Sequence, residues 1–131
     1  MIDLSLSHQK IIDARGHIKD LAENTQIKAV TEIFSRKGAI RANHYHKLTE
    51  QYNYVAFGSL LLATRPTIDS KTDITEFGTG SFFLIETSEH HALKFQEDTL
   101  LIVFTIGPRA GKEYETDTYR LEMCMFANSD Q

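Results

Sequence analysis

Two histidines separated by one residue, His44 and His46, are the chain's strongest pointer to chemistry. On a β-strand, residues two apart point to the same face, so both imidazoles would aim at one spot while Tyr45 faces away. An imidazole titrates near neutrality, which suits it to take up and return a proton or, when neutral, to ligate a divalent metal. Gln51 follows five residues after His46 and offers an amide oxygen. Arg36, Lys37, Arg41 and Lys47 fall within twelve residues that contain no acid. A local cationic patch beside paired histidines implies a small anionic ligand, such as a phosphorylated one. The competing reading of those charges is a strand edge protected from aggregation.

Such a pair needs strands to hold it, and the chain supplies them. Ile2, Leu4 and Leu6 alternate with polar residues, a half-buried strand pattern. Asp13 to Gly16 reads as a turn before a short strand through Ile18 to Leu21, and the stretch from Ile27 to Ser35 is rich in β-formers. Lys37-Gly38 turns the chain into the histidine strand. Strands follow at about Gln51–Phe57 and Leu60–Thr64, the latter closed by Pro66, which cannot continue a central strand. Ile68 to Glu76 reads as a loop and an edge strand. The apolar run Phe82–Ile85 comes next, and then His91, Leu93 and Phe95 on one parity. Thr99 to Ile106 is almost wholly apolar, as for a strand covered on both faces. Tyr114 to Met125 suits a strand or a short helix, and the alternation of Leu121, Met123 and Met125 favours strand. About ten or eleven short strands with frequent turn signals predict an all-β sandwich or barrel, able to hold one ligand inside.

Composition sets the outer limits. The 131 residues are 41% hydrophobic and 24% charged, the profile of one folded globular domain. The formal net charge of −4 argues against nucleic acid as a partner. No apolar run approaches the ~20 residues that span a bilayer, so no membrane partner is expected. Residues 1–7 lack the basic and apolar regions of a secretory leader. Cys124, the one cysteine, cannot form an internal disulfide and fits a reducing, cytoplasmic setting as an inert thiol. His8 and His17 have no partners in sequence and read as surface residues. Tyr52 and Tyr54 have the opposite parity to Gln51 and read as packing or interface residues. Arg109 and Lys112 flank a Gly107–Gly111 loop that reads as a connection, or as a phosphate-holding turn.

The spacing resembles the cupin superfamily over most of the chain. The first cupin motif runs Gly, five residues, His-x-His, three or four residues, Glu, six residues, Gly. Here Gly38, His44-Tyr45-His46, Gln51 and Gly58 fit it, with glutamine in place of the acid. Glu50 is one position off and would reverse its face. The second motif places a histidine eleven residues after a turn glycine, as Gly80 and His91 do. A narrower resemblance is to the dTDP-4-keto-6-deoxyglucose 3,4-ketoisomerases, whose His-x-His-Lys-x-x-Glu-Gln signature matches residues 44–51. Asp13-Ala14-Arg15-Gly16 is similar to their Asp-x-Arg-Gly opening. Arg41-Ala42-Asn43-His44-Tyr45-His46 is also similar to the cupin domain of capsule nucleotide-sugar reductases, with Ala42 where glycine is usual.

These resemblances imply a double-stranded β-helix, the cupin jelly roll, as one domain and as a homodimer. They imply a nucleotide-sugar isomerase or epimerase in which His46 shuttles a proton and His44 orients the substrate. Arg41, Lys47 and Arg65 would hold the diphosphate. In metal-binding cupins the matching positions ligate a divalent ion. His44, His46, Gln51 and His91 would then hold Zn, Fe, Ni, Mn or Cu, and a metal-free site is the alternative. A non-catalytic cupin binding a sugar or small anion is the third expectation.

Overall fold

The computed structural model describes residues 1–109 and 112–126. Its strands are β1 (Ile2–Asp3), β2 (Ile11–Asp13), β3 (Gly16–Ile18), β4 (Ala29–Ser35), β5 (Ile40–His46), β6 (Glu50–Phe57), β7 (Ser59–Arg65), β8 (Asp73–Gly78), β9 (Phe82–Ile85), β10 (His90–Phe95), β11 (Thr99–Ile106) and β12 (Thr118–Arg120). One short helix, α1 (Lys112–Thr116), lies between β11 and β12. Two antiparallel five-stranded sheets, ordered β1-β9-β6-β11-β4 and β12-β5-β10-β7-β8, make the expected all-β jelly roll, and β2-β3 form a separate ribbon.

The core lies between the two sheets. Val55, Phe83, Leu101 and Val103 from one meet Leu60, Leu62, Phe77 and Phe95 from the other. Phe77 stacks on Phe83 with ring centroids 4.3 Å apart. The chain crosses between sheets at Gly58, where φ is +110° and a Cβ would stand 2.3 Å from Thr99 Oγ1 and 2.7 Å from Thr99 Cα. Both the backbone conformation and the space require glycine there, which is the physical reason for the last glycine of the first motif.

Four segments depart from the sequence reading. The strand expected from Ile18 to Leu21 lies earlier, at Gly16–Ile18, where it pairs with β2 across the Asp13–Gly16 turn. The first strand stops at Asp3, because Asp3 Oδ1 accepts from Ser5 N at 3.0 Å and turns the chain; Leu6 is left 96% exposed. β11 is buried on one face and only half-buried on the other, because its outward residues face no third layer. The tail from Leu121 is not a strand. Its backbone is captured by Asn43, whose Oδ1 accepts from Met125 N at 2.8 Å and whose carbonyl accepts from Leu121 N at 3.0 Å. Phe126, fully buried, then packs on Ala63 and Ala92 on the outside of the second sheet. Cys124 is half-buried beside that cluster. Residues 110 and 111 of the Gly107–Gly111 loop lie outside the described residues.

A candidate three-histidine site in the barrel

The histidine strand is not a plain strand. In the pairing of β5 with β10, Arg41 faces Leu93 and Ala42 faces Ala92, yet His44 faces His91. Asn43 is therefore an extra residue, and Ala42 and Asn43 take left-handed φ values of 65° and 58°. This bulge puts Arg41 and the later pair His44 and His46 on the same inner face, although their numbers differ in parity. Asn43 turns outward and clasps the tail.

Inside the barrel the three imidazoles meet. The ring centroids of His44 lie 4.5 Å from His46 and 4.8 Å from His91. One nitrogen from each lies within 4.8 Å of the others. His46 Nδ1 is 3.1 Å from the Asp117 carbonyl, and His91 Nδ1 is 3.0 Å from the Glu89 carbonyl. A carbonyl only accepts, so both Nδ1 atoms carry the hydrogen and both Nε2 atoms hold the lone pair. His46 Nε2 is buried without any hydrogen-bond partner.

Electrostatics keep this cluster neutral. Burial, then the neighbouring His91, His46 and Arg120, push His44 down to about 3. Burial takes His91 down to about 4 against its bond to Glu89. His46 is also lowered by burial, but the Asp117 carbonyl and the Asp117 charge oppose the shift.

A cavity of about 210 Å³ is lined by Arg41, His44, Gln51, Asn53, His91 and Tyr114, with apolar residues beneath. His46 is 2% exposed and packs behind this lining. Tyr114, on α1, is a site residue that sequence spacing could not reveal. Its ring lies 5.1 Å from that of His46, and it lines the cavity together with Gln51. Burial raises the Tyr114 pKa, against the charge of Arg109, which stands 4.4 Å over the ring. Gln51 thus faces inward as its spacing predicted, lining the cavity beside Tyr114.

The cations divide differently from the expectation. Arg41 lines the cavity and is anchored by donating from Nε to Ser35 Oγ at 2.7 Å. Lys47 and Arg65 are not beside it. Lys47 Nζ sits 4.5 Å over the Tyr119 ring, and Arg65 Nε donates to His90 Nδ1 at 3.2 Å. Tyr45 stacks between Tyr119 and His90, so these residues form one ladder on the outer face of the sheet. Near the histidines, Arg109 stands over the Tyr114 ring, and Arg120 pairs opposite His44 across β5 and β12 with its guanidinium 3.2 Å from the Glu115 carboxylate.

No protein-family model matches the chain, and no curated protein matches its sequence. Solved structures do match in fold. A variant of the 3,4-ketoisomerase QdtA from Thermoanaerobacterium thermosaccharolyticum, in complex with TDP, aligns over 92% of this chain and 85% of its own, with 24% identity and a TM-score of 0.72. The dTDP-4-dehydrorhamnose 3,5-epimerase from Sulfolobus tokodaii aligns over 79% of this chain and 69% of its own, with 19% identity and a TM-score of 0.67. The capsular polysaccharide assembling protein CapF from Staphylococcus aureus aligns over 88% of this chain but 34% of its own, with 20% identity and a TM-score of 0.61. The cupin-type jelly roll expected from the motif spacing is the fold these structures share with this chain.

Proposed function

We propose that this protein is a nucleotide-sugar isomerase or epimerase that moves a proton between neighbouring carbons of a keto-deoxysugar. The observation that carries this reading is the neutral histidine cluster, with fixed ring tautomers, beside a cavity of about 210 Å³. That volume suits one sugar ring. The named activities of the fold's solved relatives agree with the assignment.

The roles follow from the surroundings of each ring. Moving a ketone to the adjacent carbon takes a proton from one carbon and returns it to the next through an enediolate. His46 is the imidazole whose cation the protein supports, because its Nδ1–H is bonded to Asp117 and the Asp117 charge lies close by. It serves as the base through Nε2. His44 and His91 stay neutral down to acid pH and act as hydrogen-bond partners of the sugar oxygens. Arg41, with Arg109 and Arg120, would meet the diphosphate. Deuterium wash-in tests the chemistry: isomerisation of a 4-keto sugar nucleotide in heavy water should place deuterium on C4 of the 3-keto product, whose C3 no longer carries hydrogen, and a product without solvent deuterium at C4 would overturn the mechanism. A thermal-shift screen with millimolar dTDP and UDP tests the ligand class, since a binder stabilises by mass action.

A second reading is a divalent metal on His44, His46 and His91, and the unpartnered Nε2 of buried His46 favours it. The donor set fits: three neutral imidazoles within 4.8 Å, two of them steered by backbone carbonyls at Nδ1. Zn, Fe, Ni, Mn or Cu suits such ligands. A bound ion would supply Lewis-acid polarisation of the sugar carbonyl. Stoichiometric metal in purified protein, lost in both His44→Ala and His91→Ala, would establish it and displace the metal-free form.

The protein is also proposed to pair with itself. The outer face of the β4-β11-β6 layer presents Val30, Phe34 and Phe57 to solvent, with Phe34 and Phe57 rings 6.5 Å apart. Ile11, Ile12 and Ile18 on the β2–β3 ribbon are about 70% exposed. Apolar surface of this extent supports a homodimer, and light scattering at micromolar concentration would read a monomer mass if it is absent.

A further inference from the structure

Asp117 is 4% exposed, and no ion pair among the described residues includes it. Burying a carboxylate without a cation is costly unless hydrogen bonds replace its water. Here they do. Its Oδ1 accepts from Lys47 N at 3.0 Å, and its Oδ2 accepts from Leu48 N at 3.0 Å and from Thr49 Oγ1 at 2.9 Å. Those donors form the turn that joins β5 to β6, directly after His46. The carbonyl of the same residue accepts from His46 Nδ1. Asp117 also closes α1, where its N–H meets the Tyr114 carbonyl at 3.2 Å. One residue therefore grips the ring of His46, the turn that follows it and the helix that carries Tyr114.

We infer that Asp117 is the positioning residue of the site. Its side chain ties the β5–β6 turn to the helix end, so that its carbonyl is held where only the Nδ1–H form of His46 fits and Nε2 is left as the buried, unpartnered lone-pair nitrogen. The need for the side chain is geometric. A carbonyl between a five-residue helix and a three-residue strand has little else to fix it, and rotation of that peptide would leave His46 free to adopt either tautomer. This inference rests on the reading that His46 Nε2 is the reacting atom, but the tautomer itself can be observed without any substrate.

The test is a long-range proton–nitrogen NMR spectrum of the whole protein, with the His46 signals assigned by their loss in His46→Asn. Native protein should show a single Nδ1–H tautomer. Asp117→Ala should show mixed tautomers at His46, with His91 unchanged because its carbonyl comes from Glu89. Activity on a keto-sugar nucleotide should fall about 10–100-fold in kcat, with KM within about threefold. Asp117→Asn, which keeps the shape and two of the acceptor contacts, should recover most of the single tautomer and part of kcat. Should Asp117→Ala not fold, Asp117→Leu, of similar size and without acceptors, takes its place with the same expected mixture of tautomers. Thr49→Val removes one donor to the carboxylate and should lower stability while keeping the tautomer. A folded Asp117→Ala with His46 still in one Nδ1–H form would overturn the inference. A native tautomer that depends on Asp117 in a protein without isomerase activity would uphold the positioning role and sink the proposed function instead.

Discussion

Tyr45 stacks on His90 at 4.7 Å with 17° between the rings, back to back with the contact of His44 and His91 on the other side of the same two strands. The outer pair therefore fixes the register that the inner pair needs. Tyr45 touches Tyr119 as well, at 5.1 Å. Aromatic pairs contribute about 0.5–1.5 kcal/mol each beyond their burial. Tyr45→Ala should accordingly lose about 2–3 kcal/mol in urea denaturation, while Tyr45→Phe should lose less than half of that.

Ala42 adopts φ +65°, where an L-residue is strained by about 1–2 kcal/mol. Glycine relieves that strain, at the expense of unfolded-state entropy and of the methyl contact Ala42 makes with the core. Ala42→Gly should leave the urea midpoint unchanged or raise stability by up to about 1 kcal/mol. Ala42→Val, with a branched side chain in the same backbone, should fall well below native.

Acid should weaken the fold through His91, whose pKa burial lowers to about 4. The unfolded chain takes up the proton near 6.5 and the folded one does not, so the neutral form's contribution is complete above pH 6.5 and shrinks as pH falls towards 4. The slope is about 1.4 kcal/mol per pH unit for this one group, and His44 adds in the same direction. Urea midpoints measured from pH 7.5 to 4.5 should drop on the acid side. His91→Asn should flatten that limb, and an equally steep limb in the variant would sink the assignment.

Nucleotide binding should follow the arginines on the inner side. Arg120→Ala should weaken dTDP binding about tenfold, or about 1.4 kcal/mol, read as a smaller thermal shift. Lys47→Ala and Arg65→Ala, on the outer ladder, should keep the native shift. The reverse ranking would move the ligand to the outer face.

The all-β sandwich and the His44–His46 pair were legible in local periodicity, whereas the jelly roll and His91 were legible through the spacing of the cupin motifs that the chain resembles. The outward direction of Lys47 was legible too, since it is adjacent to His46 and shares the parity of Tyr45. Its charge misled where its parity did not. Tyr114 and Asp117 were not legible, because what places them is a five-residue helix and contacts about seventy residues away in the chain. The tail was misread for a related reason. The alternation of Leu121, Met123 and Met125 looks like a strand, but the Asn43 clasp, far off in sequence, decides its path. In β11, apolar residues on both parities hid which face looks inward.

The step of one residue at Ala42-Asn43 works as a change of phase in the strand. Upstream of it odd-numbered side chains look into the barrel, and downstream even-numbered ones do. The same residues run as a regular strand, with Asn43 paired instead of bulged, could not present Arg41 and the two imidazoles together. One half of the site would be written in the wrong frame, with Tyr45 and Lys47 inside and the histidines in solvent. The barrel's inner chemistry is thus addressed by counting, and two left-handed residues supply the extra count.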